Sequence, residues 1–146
     1  MQLTASIDLL HGDVVVRQAL NINWVVDTGA TFVVIDDSVA RDLKVSGLDP
    51  IPVRVQAAAG AMTGNRWRRA GHRFRLHIFN DTDDCYLEVD SVMWTKSQNM
   101  GVQNGTASPC LLGMDAIRKI ALQVEQMDDA CIGGFAWLRQ SRIYEL

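Results

Sequence analysis

The chain has 146 residues, 48% of them hydrophobic and 21% charged, which suits one folded domain with a substantial core. Its formal net charge of -3 predicts neither the positive field of a nucleic-acid-binding protein nor a preference for anionic membranes. Three cysteines without a Cys-x-x-Cys pair leave at least one thiol unpaired and favour a reducing compartment. We expect a cytoplasmic protein without a membrane span, although a soluble domain of a longer, anchored or processed protein would have the same composition.

The first part of the chain predicts two strands that lead to an acidic turn. Residues 3–10 alternate loosely between apolar and polar, and the turn residues 11–13 precede an apolar run at 14–16, so a β-hairpin is expected. A β-branched run is then interrupted before residues 32–35 resume it, and the interrupting residues are Asp27, Thr28, Gly29 and Ala30. An ionised carboxylate is costly to bury unless it is hydrogen-bonded or paired, so Asp27 indicates a functional site.

A short helix and a long hairpin are predicted after this turn. Asp36, Asp37 and Ser38 offer N-cap chemistry for a helix that is expected to end near Gly47, so the two acids are assigned to helix capping. Residues 49–52, with two prolines, are interpreted as a break. Alternating residues on either side of a run of small ones predict a hairpin over about 53–79. Its soft tip contains Ala58, Ala59, Gly60, Ala61 and Met62.

The predicted hairpin is also rich in basic residues, namely Arg54, Arg66, Arg68, Arg69, Arg73 and Arg75, with Trp67 among them. Basic residues interleaved with an aromatic can bind nucleic acid. Arginine that alternates along a strand is also typical of a solvent-facing side, and acidic residues between 81 and 90 follow to balance the charge. We therefore expect no nucleic-acid partner, while a basic rim that favours acidic substrates stays open.

The second half of the chain predicts a strand, a glycine turn and a helix again. Alternation over 85–89 continues into 92–94 as one strand, whereas residues 95–109 lack periodicity and are interpreted as an inserted surface loop. Leu111, Leu112 and Gly113 then precede a short helix over 114–120. Residues 120–125 and 130–132 are strand-like, and the apolar C-terminal tail is expected either to join a subunit interface or to cover the core.

Two of these motifs resemble the retroviral-type aspartic proteases. The sequence Asp27-Thr28-Gly29-Ala30 after an apolar strand is similar to their active-site loop, and Leu111-Leu112-Gly113 is similar to the stretch that opens their C-terminal helix. The two motifs occur in the family's order, and the resemblance covers most of the chain. It implies an all-β fold with short helices, a retropepsin-like acid protease β-barrel with one lobe per chain and a single domain over 1–146. The predicted hairpin would be the flap that folds over the substrate.

The resemblance also implies a reaction and an assembly. The chain has one Asp-Thr-Gly and is too short for two lobes, so a pair of carboxylates requires Asp27 from each of two copies around a twofold axis. The implied function is an aspartic endopeptidase, an obligate homodimer that hydrolyses polypeptides with a water activated between the two Asp27 carboxylates. No metal or other cofactor is expected, since the histidines and cysteines lack zinc spacing.

Supporting roles for the neighbouring residues follow from the same resemblance. Thr28 would lock the two active-site loops across the twofold axis, and Gly29 and Ala30 would shape the floor beneath the water. Leu112 and Gly113 would support this loop from the second half of the chain.

Two other functions are compatible with parts of the sequence. An acidic-glycine turn after a strand also resembles the first phosphate loop of the actin-like ATPases, but those proteins need two large domains and a second phosphate loop. A retropepsin-like fold can alternatively serve as a non-catalytic dimerisation or peptide-binding module. The intact Asp27-Thr28-Gly29-Ala30 sequence favours the enzyme over this alternative.

Overall fold

The computed structural model describes residues 2–45, 48–57, 60–78, 86–94 and 110–126. In these ranges the chain forms nine strands and two helices: β1 (Gln2–His11), β2 (Val14–Val26), β3 (Val34–Ile35), α1 (Asp37–Leu43), β4 (Asp49–Ala57), β5 (Gly60–Arg68), β6 (His72–His77), β7 (Leu87–Val89), β8 (Val92–Trp94), β9 (Cys110–Leu112) and α2 (Met114–Gln126). The strands form one sheet in the order β4-β5-β8-β3-β9-β2-β1-β6-β7. The fold is all-β with short helices, as expected for a single retropepsin-like lobe. Neither helix in these ranges is long and apolar enough to cross a membrane.

The predicted opening hairpin is confirmed by β1 and β2, which pair antiparallel around the turn at 12–13. Gly12 has a φ of +60°, a left-handed conformation that glycine adopts readily and other residues rarely do. Register shifts between Ala5 and Ile7 and between Leu9 and Leu10 bend the pair. The indole Nε1 of buried Trp24 donates to the Ala5 carbonyl at 3.1 Å, so this large core side chain also ties the two strands together.

The two halves of the chain meet at the centre of the sheet. Strand β9 pairs parallel with β2, and Val34 of β3 pairs antiparallel with Leu111 of β9. Strand β3 also pairs parallel with β8. The end of β2 and the end of β9 therefore lie side by side. The turn that contains Gly29 follows β2, and Gly113 is the single residue between β9 and α2. This arrangement brings the two motifs of the sequence together.

Helix α1 begins where the sequence predicts, because Asp36 caps it. The Asp36 side chain accepts a hydrogen bond from the Val39 backbone N–H at 2.8 Å, which satisfies one of the free donors of the first turn. The helix ends at Leu43, somewhat earlier than the predicted end near Gly47, which lies outside the described residues. Lys44 follows in the left-handed conformation, with a φ of 52°.

The long hairpin differs from the predicted one. Residues 49–52 do not form a break; they begin β4, which pairs with β5 from Asp49↔Arg68 to Ala57↔Gly60. The two prolines are tolerated because β4 is the edge strand of the sheet. Gly60, Ala61 and Met62, expected in a loose tip, belong to β5, and Ala58 and Ala59 lie outside the described residues. Strand β6 is not the returning arm, since it pairs with β1 and β7.

Two further predictions of secondary structure are wrong. Residues 87–94 form two strands in different parts of the sheet, since β7 pairs with β6 whereas β8 pairs with β3 and β5. Residues 120–125 continue helix α2, because Ile117, Ile120 and Ala121 are buried at helical spacing against the sheet. The inserted loop at 95–109 and the strand-like segment at 130–132 lie outside the described residues.

Candidate active site

Asp27 directly follows β2 and lies at the junction between the two halves of the chain. Its backbone N–H donates to the Leu112 carbonyl at 3.0 Å, which extends the pairing of β2 with β9 by one residue. Its own carbonyl accepts from the Ala30 N–H at 3.2 Å and closes a four-residue turn. The side chain is half-buried, and none of the ion pairs in the described part of the chain involves it. These two backbone hydrogen bonds fix the position of Asp27 at the junction.

Gly29 brings a hydrogen-bond donor close to this carboxylate. Its N–H donates to Asp27 Oδ1 at 2.9 Å. A Cβ at this position would lie 3.2 Å from the same oxygen, a distance tighter than most real Cβ contacts. Thr28 and Gly29 are exposed, whereas Ala30 is half-buried at the end of the turn. The turn thus presents one carboxylate oxygen bound to a backbone N–H, next to an exposed threonine.

Leu112 and Gly113 pack directly under the acidic turn. A Cβ on Gly113 would lie 2.3 Å from the Phe32 carbonyl oxygen, and 2.7 Å from both the carbonyl carbon and the backbone nitrogen of Phe32. Only glycine fits this approach, because the neighbouring atoms are backbone and cannot rotate away. The N–H of Met114 then donates to Ala30 at 2.8 Å, so the start of α2 is bonded to the end of the turn.

Asp115 is a supporting residue whose role the sequence does not predict. Its backbone N–H donates to the Thr31 carbonyl at 3.0 Å, and its carboxylate accepts from the N–H groups of Ala116, at 2.7 Å, and Val33. Burial raises the pKa of Asp115, while these hydrogen bonds act in the opposite direction. The sequence signal that could have indicated this role is an acid in the first turn of the predicted helix, two residues after Gly113. Asp115 joins helix α2 to both sides of Phe32.

Arg66 connects the β4–β5 hairpin to this site. Its guanidinium lies 4.6 Å from the centre of the Phe32 ring, and its Nε donates to Ser91 Oγ at 2.6 Å. Asp90 lies 3.5 Å from the same guanidinium. Arg66 is therefore half-buried between the hairpin, the acidic turn and the segment before β8, and it does not lie on an open basic face.

Three more of these arginines, Arg68, Arg73 and Arg75, also lie beside acids, as the sequence predicts. Arg73 and Arg75 both approach Glu88, and Asp90 is shared by Arg66 and Arg68. A carboxylate within reach of two guanidinium groups lowers the local positive charge. These pairs remove much of the basic character that a nucleic-acid interface would need.

The part of the chain that contains the acidic turn matches a known protein family. A family model described as "Aspartyl protease" matches residues 13–116, which is more than half of the chain. The matched range begins at the turn between β1 and β2 and reaches the first turn of α2, so it contains Asp27 to Ala30 as well as Leu112 and Gly113. A comparison with curated proteins gave no match.

Proposed function

Since this chain belongs to the aspartyl protease family, we propose that it is an aspartic endopeptidase that works as a homodimer, with Asp27 of each subunit forming the catalytic pair. The observation that carries the proposal is the placement of Asp27: a half-buried carboxylate outside every ion pair of the described residues, where the end of β2 meets the end of β9. Gly113, not an acid, is the residue that follows β9. One chain therefore supplies half of a dyad, and a second copy supplies the rest.

The proposed reaction uses the two carboxylates in different protonation states. Like charges about 3 Å apart do not readily both ionise, so the pair holds one shared proton. The ionised Asp27 takes a proton from water as the water oxygen attacks the scissile carbonyl carbon, and the protonated Asp27 gives its proton to the carbonyl oxygen. The resulting diol collapses when the C–N bond breaks and the nitrogen receives a proton from the dyad. No covalent bond to the enzyme forms.

The neighbouring residues have positioning roles in this proposal. The Gly29 N–H holds Asp27 Oδ1, exposed Thr28 reaches the partner subunit's loop, and Ala30 forms part of the floor. Leu112 and Gly113 fix the position of the turn. The Leu112 carbonyl accepts from the Asp27 N–H, and Gly113 packs closely against the Phe32 backbone.

The β4–β5 hairpin, which carries the residues 58–62 that the sequence predicts to contact substrate, is proposed as the flap that covers a polypeptide substrate. The contact of Arg66 with Phe32 supports this role, because it links the base of the hairpin to the segment that follows the acidic turn. The buried free thiol of Cys110 fits a reducing, cytoplasmic location.

The test combines one substitution with one mixing experiment. Asp27→Asn should abolish cleavage of a diverse peptide library, whereas Asp42→Asn, an exposed acid on α1, should leave it unchanged. If each site needs both copies of Asp27, an equal mixture of exchanged wild-type and Asp27→Asn chains should keep about one quarter of the wild-type activity, because only wild-type pairs are active.

Residual activity near one half in that mixture would show that single subunits act alone. A dimer by light scattering that cuts no sequence in the library would favour the non-catalytic binding module.

A further inference from the structure

The β4–β5 hairpin leaves the rest of the sheet next to Arg66. Strand β5 pairs with β8 only over residues 65–67, whereas its pairing with β4 continues without a break to the end of the hairpin. Among the described residues, positions 53–57 and 60–64 therefore pair only with each other. We call these two segments the arm, and residues 65–67 its base. A two-stranded arm can pivot about such a base unless a side chain holds it.

The Arg66 side chain makes three contacts outside the hairpin. Its guanidinium carbon lies 4.6 Å from the centre of the Phe32 ring, its Nε donates to Ser91 Oγ at 2.6 Å, and its Nη2 lies 3.5 Å from Asp90 Oδ1. Ser91 is only 1% exposed, so loss of Arg66 would remove a charged donor from a buried hydroxyl. One rigid, planar group therefore holds two separate segments of the chain beside the base of the arm.

Phe32 connects this side chain to the segment that follows the acidic turn. Its backbone packs closely against Gly113, and the Asp115 carboxylate accepts from the next backbone N–H, that of Val33. Burial raises the pKa of Asp115, and the positive charge of Arg66 acts in the opposite direction, so these two side chains also interact. Phe32 cannot shift without disturbing these contacts, and it therefore gives Arg66 a fixed surface to rest on.

We propose that Arg66 is a positioning residue that sets the angle of the arm over the acidic turn, because it clamps the base of the arm to Phe32 and to the segment before β8. The inference rests on the proposed function, in which the arm covers a polypeptide substrate. Asp27 is held by backbone hydrogen bonds to Leu112 and Ala30, in which Arg66 takes no part. Loss of Arg66 should therefore weaken substrate binding and leave the chemical step largely unchanged.

Steady-state kinetics with one cleaved peptide tests this separation. Arg66→Gln should raise KM by about tenfold and change kcat by less than about twofold, because it removes a charge-assisted hydrogen bond and the contact with the Phe32 ring. Arg66→Lys keeps a cation that can lie over the ring and should recover most of the loss. A merely structural role would lower the folded fraction, so the measured kcat would fall while KM stayed the same.

The matched control is Arg68→Gln, two positions along the same strand. Arg68 is exposed and also lies close to Asp90, but the described contacts with Phe32 and Ser91 belong to Arg66. The control removes the same charge from the same face of β5. It should change KM and kcat by less than about twofold, because exposed ion pairs contribute little.

A distance measurement tests the role of Arg66 without any cleavage. Spin labels on Asp42→Cys of α1 and Arg54→Cys of the arm, both exposed positions, report the angle of the arm by pulsed electron paramagnetic resonance. The three native cysteines are replaced by alanine, and labelled chains are diluted into an excess of unlabelled ones so that distances within one chain dominate. Arg66→Gln should shift or broaden the distance distribution, and Arg68→Gln should leave it as it is without either substitution.

The two measurements separate failure of this inference from failure of the proposed function. If the wild type cuts no peptide, the peptidase proposal fails, and the distance distribution alone decides whether Arg66 holds the arm. The inference is overturned if Arg66→Gln leaves that distribution unchanged, if Arg68→Gln alters it equally, or if Arg66→Gln lowers kcat at an unchanged KM.

Discussion

Replacing Gly113 by alanine should displace the acidic turn, because the structure leaves no room for a Cβ. The added carbon would lie 2.3 Å from the Phe32 carbonyl oxygen and 2.7 Å from the Phe32 carbonyl carbon and nitrogen. All three atoms are backbone, so a rotamer change cannot relieve the overlap. The start of α2 and the turn must separate by about 1 Å to restore ordinary contact distances.

The expected loss of stability follows from the bonds that cross this contact. Three backbone hydrogen bonds of 2.8–3.0 Å join the two segments: Asp27 to Leu112, Met114 to Ala30 and Asp115 to Thr31. Each contributes about 1 kcal/mol net, and overpacking itself costs about 1–3 kcal/mol. If the separation removes half of the free energy of these three hydrogen bonds, the loss of bonding and the overpacking together should lower the free energy of unfolding of Gly113→Ala by about 3 kcal/mol. For a chain of this size, Tm should fall by about 10 °C.

Urea unfolding followed by tryptophan fluorescence measures this loss, and Gly12→Ala is the matched control. A Cβ on Gly12 meets nothing within 4 Å, but its φ is +60°, so alanine there should cost only about 1–2 kcal/mol. Gly113→Ala should also lose peptidase activity, because Asp27 shifts with the turn. A Gly113→Ala variant within about 1 kcal/mol of wild type, or one destabilised less than Gly12→Ala, would show that the contact with Phe32 is not tight.

Two further predictions concern titratable groups. Burial raises the pKa of Asp115, so its contribution to stability is fully present below about pH 4 and is lost as the pH rises through the raised value. Asp115→Asn should therefore gain stability relative to wild type as urea unfolding is repeated from about pH 4 to pH 7, and a constant difference would contradict this assignment. Burial also raises the pKa of the Cys110 thiol to about 12. With Cys85 and Cys131 replaced by serine, Cys110 should resist a thiol reagent at about pH 8 until urea unfolds the chain; rapid labelling of the native protein would show that the thiol is accessible.

Features that depend on a few adjacent residues were predictable from the sequence. The turn at Gly12, the N-cap at Asp36 and the interruption at Asp27 each reflect a local requirement: a left-handed φ, a side-chain acceptor for a helix N–H, and a carboxylate in an apolar strand. The family match covers both motifs on which the resemblance was based. Local chemistry was sufficient in these places.

The predictions are wrong where contacts with distant parts of the chain decide the structure. The sequence around Pro50 and Pro52 looks like a break, yet it forms an edge strand because the backbone of β5 is available beside it. Alternation over 120–125 suits a strand as well as the end of a helix, and burial of Ile120 and Ala121 decided for the helix. The hydrophobic pattern of a segment does not show which other segment it will pair with or pack against.

The sequence by itself determined that an aspartate stands in a glycine turn after an apolar strand and that a second glycine turn follows later in the chain. Only the tertiary structure decided that β9 lies parallel to β2, that Gly113 packs against the Phe32 backbone and that Asp115 and Arg66 flank the same residue. The reason is physical. Turn and capping preferences act over a few bonds, whereas close packing depends on contacts between segments that are distant in the chain.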